Sequence, residues 1–229
     1  MEISRTVLIL FLLGFVGTSH AASNTNHKTD SSIIALPRPD LKHGIPLNSA
    51  LKMRRSYRRY SSTALSLADL SQLLWSAQGV THFLGFRTAP SAGAKYPLEI
   101  YIVAGNVAAL QPGIYHYQAG SHQLEPVAVG DQRKPLAQAA GNQSSIANAV
   151  VTLVISAIPG RTEKKYGSRA KRYVYIEAGS AAQNIYLQAA SLHLGTVFVG
   201  SFSDKEVKQI IRLPADHEPL GLMPVGHRP

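Results

Sequence analysis

The stretch RRSYRRY, residues 54–60, places four arginines and one serine hydroxyl within seven residues. Guanidinium groups donate hydrogen bonds in pairs and keep their charge, so several of them beside a hydroxyl suit a phosphate dianion. The alternative is a solvated basic face at the end of a helix. The downstream sequence favours the phosphate site, because an amphipathic helical pattern leads from this stretch to the segment APSAGAKYPLEIY, residues 89–101.

These two stretches resemble the nitroreductase-like flavoenzymes, and most closely the SagB-type oxidases. The pattern of that branch runs RRSxRxY, then LLWxAQG, then PSAGAxYPLEIY. The middle motif here is LLWSAQG, residues 73–79, and the resemblance continues through KYG at 165–167, EAGSAAQNIYLQAA at 177–190 and PL at 219–220. It covers roughly residues 47–229. Each motif alone is weak, and their common order makes the resemblance specific.

The resemblance implies an α+β, nitroreductase-like fold. We expect a central mixed, mostly antiparallel sheet flanked by helices, with a long core helix at a homodimer interface. It also implies FMN as the cofactor, with the phosphate and ribityl chain held by the side chains that match RRSxR, namely Arg54, Arg55, Ser56 and Arg58. Arg59 falls outside the pattern and is expected to be a surface charge.

Further cofactor contacts are implied at three other places. Small residues in a turn, Pro90, Ser91 and Ala92, would lie against the flat isoalloxazine ring, where a bulky side chain would clash. The backbone at Gly200 and Ser201 would approach flavin N5, and Arg228 would add a phosphate contact. Ordinary turns explain the first two segments equally well. Ala94 stands where many nitroreductases have an asparagine, which leaves one polar contact to the flavin unassigned.

The catalytic residues implied by the resemblance are Lys165 and Tyr166. Oxidation of an azoline ring to an azole needs a base for a carbon-bound proton while a hydride leaves for the flavin. A lysine does this only in its neutral form, which burial or neighbouring cations favour. The alternative is an exposed basic loop. Ser180 departs from the pattern, because relatives commonly have a histidine there, so no role of that histidine transfers to this chain.

The amino-acid composition limits the classes of ligand that the chain is expected to bind. With 229 residues, 45% of them hydrophobic, the chain fits one domain with a full core. A net charge of +10 favours anionic ligands. No nucleic-acid-binding motif is present, so we expect no nucleic-acid partner. There is no cysteine, and the nine histidines lack metal-ligand spacing, so we predict no metal site.

The N-terminus predicts export. Residues 1–21 have an apolar run from Val7 to Val16 and a small-x-small cleavage sequence at 19–21, as in a signal peptide. A retained anchor is the alternative. Residues 22–46 are expected to be disordered or extended, followed by the FMN-binding domain at 47–229. The protein would then be periplasmic or secreted.

Local patterns place the main elements. Ser66 to Asp69 reads as a capping box before a helix, and the longest helical pattern runs from Tyr173 to His193, with Gly195 as its stop. Apolar runs at 98–104, 149–158 and 196–199 predict strands, and a hairpin is predicted around residues 119–122. Because hairpins interrupt the alternation of strand and helix, the pattern favours an α+β sheet domain.

The function implied is that of an FMN-dependent oxidoreductase acting on a small or peptide-borne substrate through flavin N5. Two alternatives keep the same fold: an exported NAD(P)H-type nitroreductase, and a flavin- or anion-binding protein without turnover. A basic protein that binds anionic envelope polymers or nucleic acid is a third. Export disfavours NAD(P)H, which is not supplied outside the cytoplasm, and leaves the electron donor or acceptor open.

Overall fold

The computed structural model describes residues 32–229, so the predicted signal peptide lies outside the described residues. Seven α-helices are present in that range: α1 Leu47–Met53, α2 Leu67–Gln78, α3 Arg133–Ala139, α4 Ser144–Ala147, α5 Gly160–Tyr166, α6 Ala170–Ser191 and α7 Asp204–Ile210. The seven strands are β1 Ile34–Ala35, β2 Leu98–Ala104, β3 Gly113–Gln118, β4 Gln123–Val129, β5 Val151–Ala157, β6 Leu194–Thr196 and β7 Glu218–His227. Short 3-10 helices occupy Ala92–Ala94 and Gly167–Arg169.

The strands form one sheet in the order β1-β4-β3-β2-β5-β7-β6, and every neighbouring pair is antiparallel. The central strands β2 and β5 are buried on both faces, as their continuous apolar runs predict. Side chains alternate along β2, so Ile100 and Ile102 join the core beneath α2 and α6. Tyr101 and Val103 face the second core, beneath α3 and α7. The predicted α+β fold is confirmed.

Helix α6 is the long core helix, and it packs chiefly against α2. Its small-residue face, which includes Ala178, Ala181 and Ala182, lies in the core with Leu70 and Leu73 of α2. Small side chains let two helices approach closely. This small-residue face is therefore occupied by contacts within the chain. The side chains that α6 leaves exposed are others, among them Tyr175 and Ile176.

Several local predictions need correction. The helix α6 ends at Ser191, and the left-handed position after it is taken by His193, with φ of 56°, not by Gly195. Gly195 lies in β6 instead, where an added Cβ would come within 2.8 Å of the Tyr57 Cβ. The predicted strand at 196–199 is only the short β6 and a single bridge from Val199. The segment before Tyr166 is the helix α5, not a loop.

The segment 32–46 runs extended, and it also extends the sheet. Ile34 pairs with Leu124 at the edge of β4. Farther along, the Asp40 backbone N–H donates to Gln72 Oε1 of α2 at 2.8 Å. The sequence predicts the extended run from its prolines but gives no sign of this edge pairing, because two residues are too few for a strand pattern.

The capping box of α2 provides a stability test. The Asp69 backbone N–H donates to Ser66 Oγ at 3.0 Å, and the Ser66 hydroxyl donates to the Asp69 carboxylate at 2.7 Å. We expect Ser66→Ala to lower the free energy of unfolding by about 1 kcal/mol, because the first turn loses its cap, and Ser66→Gly to lower it by only a few tenths. Urea denaturation measures both. No measurable loss in Ser66→Ala would mean that the cap contributes nothing.

Candidate active site

The arginine-rich stretch leaves α1 and runs extended beside the sheet edge. The Tyr57 N–H donates to the Thr196 carbonyl at 2.9 Å, and the Ser61 N–H donates to the His227 carbonyl at 2.9 Å. These bonds fix the backbone, so the side chains of residues 54–59 have defined directions. Within residues 32–229, no carboxylate lies within 4.0 Å of a guanidinium of this stretch. Its positive charge is therefore available to an anionic ligand.

The Tyr186 hydroxyl joins this stretch to the loop after β6. It lies 3.1 Å from Ser56 Oγ and accepts the Phe198 backbone N–H at 2.7 Å. The Arg54 guanidinium lies over the same tyrosine ring, 5.3 Å from its centroid. One side chain of α6 thus positions two segments that the sequence presents as separate cofactor contacts. Tyr186 was not predicted from the sequence, although a tyrosine within a helix needs a hydroxyl partner when it is partly buried.

Arg228 lies against the same stretch. Its Nε donates to the Leu194 carbonyl at 3.0 Å, and its guanidinium stacks 4.6 Å from the Tyr57 ring centroid. Arg228, the predicted phosphate contact, thus lies beside the RRS segment. We call Arg54, Ser56, Tyr186 and Arg228 the grip group.

The other predicted residues of these segments are placed differently. Arg55 folds back onto the backbone of its own turn, donating to the carbonyls of Lys52 and Arg54. Arg58 lines a separate cleft of about 920 Å³ with Arg59 and Asn106. Gly200 and Ser201 lie exposed in the loop after Val199. In the described part of the chain, no acceptor is bonded to the N–H of either residue, so both remain available as donors.

The turn at 90–94 is built by two side-chain bonds. Ser91 Oγ accepts the Tyr96 N–H at 2.8 Å, and Glu177 Oε1 of α6 accepts the Ala92 N–H at 2.8 Å. Glu177 is only 5% exposed, and this burial raises the pKa of its carboxyl group, against the opposing effect of the bond from Ala92. Glu177 is a second residue that was not predicted from the sequence. It fixes the turn from beneath, because a buried acceptor needs its donor.

The predicted catalytic pair lies against this turn. Gly93 has φ of 58°, and a Cβ added there would lie 2.7 Å from Tyr166 Oη and 2.9 Å from Lys165 Nζ. A larger residue at Gly93 would therefore displace the ends of both side chains and would be strained at this positive φ. The Tyr166 ring packs edge-on against Tyr173, with centroids 4.9 Å apart, which steadies it. The structure thus brings Lys165 and Tyr166 to the turn that contains Pro90, Ser91 and Ala92.

A second group surrounds the turn, and we call it the turn group: Ala92, Gly93, Lys165, Tyr166 and Glu177. The grip group and the turn group contact α6 at different places. Glu177 and Tyr186 are separated by nine residues of helix. At 1.5 Å per residue and 3.6 residues per turn, this places them about 14 Å apart along the axis and on opposite sides of it. Within one chain, the helix therefore lies between the two groups.

The described residues hold neither a cluster suited to a metal ion nor a membrane-spanning helix. Within residues 32–229, no group of three or more histidine, aspartate or glutamate side chains is arranged to hold a metal ion. In the same range, no helix has both the length and the apolar content to cross a membrane.

Comparison with known proteins identifies the family. A protein of Methanocaldococcus jannaschii that carries the name nitroreductase is 45% identical over 190 residues, covering 83% of this chain and 94% of that protein. A solved nitroreductase-like structure from Ralstonia eutropha JMP134 is 32% identical, with a TM-score of 0.76 over 86% of this chain and 90% of that one. A chain of the Escherichia coli microcin synthetase McbBCD complex, solved with truncated pro-MccB17 bound, is 25% identical, with a TM-score of 0.67 over 94% and 85% of the two chains.

The family match itself spans most of the described chain. Residues 51–227 match the nitroreductase family, and this range contains the RRS stretch, the turn at 90–94, Lys165, Tyr166 and the whole of α6. Sequence and fold agree over that range, and the chain is an oxidoreductase that belongs to the nitroreductase family.

Proposed function

We propose that this chain is an FMN-dependent oxidoreductase of the SagB type, which removes a hydride and a proton from a small or peptide-borne substrate. The observation that carries the proposal is the position of Lys165 and Tyr166, whose reactive atoms lie against Gly93 of the turn. The relative in the McbBCD complex, solved with truncated pro-MccB17 bound, supports a peptide-borne substrate.

The donor set suits FMN. Its phosphate would be held by the arginines of the grip group, which lack carboxylate partners in the described chain, and by the Ser56 hydroxyl. The free N–H groups of Gly200 and Ser201 would serve a ring nitrogen. The small residues Ser91 and Ala92 leave room for a flat ring. When bound, FMN supplies two-electron chemistry by taking a hydride equivalent from the substrate.

Proton removal would fall to the turn group. In an azoline-to-azole oxidation, the substrate loses a hydride from one ring position and a proton from its neighbour, and two ring hydrogens are lost in total. Lys165 Nζ would take that proton, and the Tyr166 hydroxyl would orient the heterocycle. Dioxygen is the proposed final acceptor of the electrons, leaving as hydrogen peroxide. Dioxygen as the acceptor suits the proposed export by the segment 1–21, because NAD(P)H is not supplied outside the cytoplasm.

We further propose a homodimer with the flavin between its two copies. The grip and turn groups lie on opposite sides of α6, and a second copy would bring its own turn group to the grip group of the first. Exposed apolar side chains on the helices support an interface, notably Ile176 at 59% and Leu47 at 64% exposure.

The proposed phosphate site is tested by three single arginine variants. Arg54→Ala is expected to weaken FMN binding about 10- to 100-fold, because a charge-assisted hydrogen bond contributes about 1.5–3 kcal/mol. Arg228→Ala is expected to weaken it in the same direction, and Arg59→Ala, which changes the separate cleft, to leave it unchanged. Fluorescence titration of the apoprotein with FMN gives the three dissociation constants. Equal, small effects at all three positions would restore the solvated-face interpretation.

The catalytic pair is tested with Lys165→Ala. Turnover of a thiazoline-containing model peptide under dioxygen is expected to fall about 10²- to 10⁴-fold, because a general base is lost. Flavin content and reduction by dithionite are expected to stay unchanged, since the grip group comes from other segments. Lys164→Ala, one position away on α5 and exposed, is the matched control. Reduced flavin occupancy with normal turnover per flavin would move Lys165 from catalysis to cofactor binding.

The dimer is tested at the exposed face of α6. We expect Ile176→Glu to shift the mass in light scattering from that of a dimer to that of a monomer, because it places a carboxylate in an apolar contact. FMN would be lost with the partner. Ile33→Glu is the control, since Ile33 has the same exposure of 59% but lies in the N-terminal segment. A dimeric, FMN-loaded Ile176→Glu protein would remove this face from the interface.

A further inference from the structure

A polar cavity lies beside the turn at 90–94, and none of its lining residues belongs to the grip group or the turn group. It has a volume of about 390 Å³ and is enclosed by the end of α2, the residues Lys95 and Tyr96, the start of β2, the β3–β4 hairpin and α5. Three cations line it, Arg87, Lys95 and Arg161, against one carboxylate, that of Glu99. The cavity is thus electropositive.

The single carboxylate is already engaged. Glu99 Oε1 binds the Arg161 guanidinium at 2.6 Å, and Glu99 Oε2 binds His116 Nε2 at 2.7 Å. Arg161 also donates to the Tyr96 carbonyl at 2.9 Å. These interactions lower the pKa of Glu99 against the effect of its burial, so the carboxylate is held ionised. Glu99 and Arg161 neutralise each other, and the excess charge belongs to the remaining cations.

Arg87 carries that excess charge in a partly buried position. Its Nη1 donates to Gln78 Oε1 at 2.9 Å, and its guanidinium lies 4.8 Å from the Tyr96 ring centroid. Within residues 32–229, no carboxylate comes within 4.0 Å of it, and no other acceptor takes its N–H groups. A guanidinium has five N–H donors. Its burial lowers the pKa of Arg87, so removal of water from this cation is not fully compensated.

We propose that this cavity is a binding site for a small organic carboxylate, paired with Arg87. A carboxylate matches the two-donor edge of a guanidinium, and the exposed Lys95 adds a second cation at the mouth. Leu98, Ile100 and Tyr117 of the core form the floor of the cavity. The volume admits a ligand of about amino-acid or benzoate size, at the small end of ligand sites. The site does not depend on FMN.

Benzoate is the probe, titrated into the purified full chain at constant ionic strength maintained with sodium chloride. We expect saturable binding in calorimetry and a rise in the melting temperature with benzoate concentration. Arg87→Met is expected to weaken binding about 10- to 100-fold, because the charge-assisted pair is lost. Arg212→Met is the matched control, since Arg212 is exposed after α7, does not line this cavity and loses the same charge.

Two further measurements keep the test decisive. Arg87→Lys keeps the charge but loses the two-donor edge, so it is expected to bind benzoate at an intermediate affinity; it also serves if Arg87→Met folds poorly. Inorganic phosphate is titrated in parallel into wild type and Arg87→Met, and phosphate binding that is tighter than benzoate binding and is lost in Arg87→Met would overturn the choice of a carboxylate. Unsaturable benzoate binding, or equal affinity in wild type and Arg87→Met, would overturn the site itself. Flavin occupancy is recorded throughout and is expected to be the same in every variant.

Discussion

The packing of α6 against α2 and the sheet is the constraint on which the site depends. Alanines at 178, 181 and 182 allow the helix axis to approach the core closely, and a larger side chain there would overpack it, at a cost of about 1–3 kcal/mol. Once this face is fixed, the direction of every other α6 side chain follows from helical geometry. Glu177 must then point to the turn at 90–94, and Tyr186 to the RRS stretch. The site is positioned by one helix.

The buried Glu177 carboxylate shows how that positioning is maintained. An acceptor removed from water is costly unless it is bonded, and here the bond comes from the Ala92 backbone N–H. The helix and the turn therefore hold each other. Gly93 links α5 to the same turn, because Lys165 and Tyr166 occupy the space where its side chain would lie. Core packing thus reaches the proposed proton-transfer residues through the turn, and also directly through the packing of Tyr166 on Tyr173 of α6.

The sequence predicted the fold, and it named the segments of the candidate site more fully than the links between them. The RRS stretch, the turn at 90–94 and the pair Lys165–Tyr166 are each contiguous motifs, so a resemblance can name them as candidates. Tyr186 and Arg87 were missed because their roles arise from contacts distant in sequence. Gly195 was assigned to a helix stop because glycine commonly ends helices, whereas close packing on Tyr57 requires it in β6.

The distribution of positive charge depends on the same arrangement. The net charge of +10 does not by itself name a ligand, since basic faces are usually solvated. Among the arginines, two contrasting arrangements occur. Arg161 and Arg133 are matched by the carboxylates of Glu99 and Asp131 and stabilise local geometry. Arg54 is stacked on an aromatic ring without a described carboxylate partner, and Arg87 is held in the same way. A ring fixes a guanidinium without neutralising it, which leaves the hydrogen-bonding edge and the charge free for an anionic ligand.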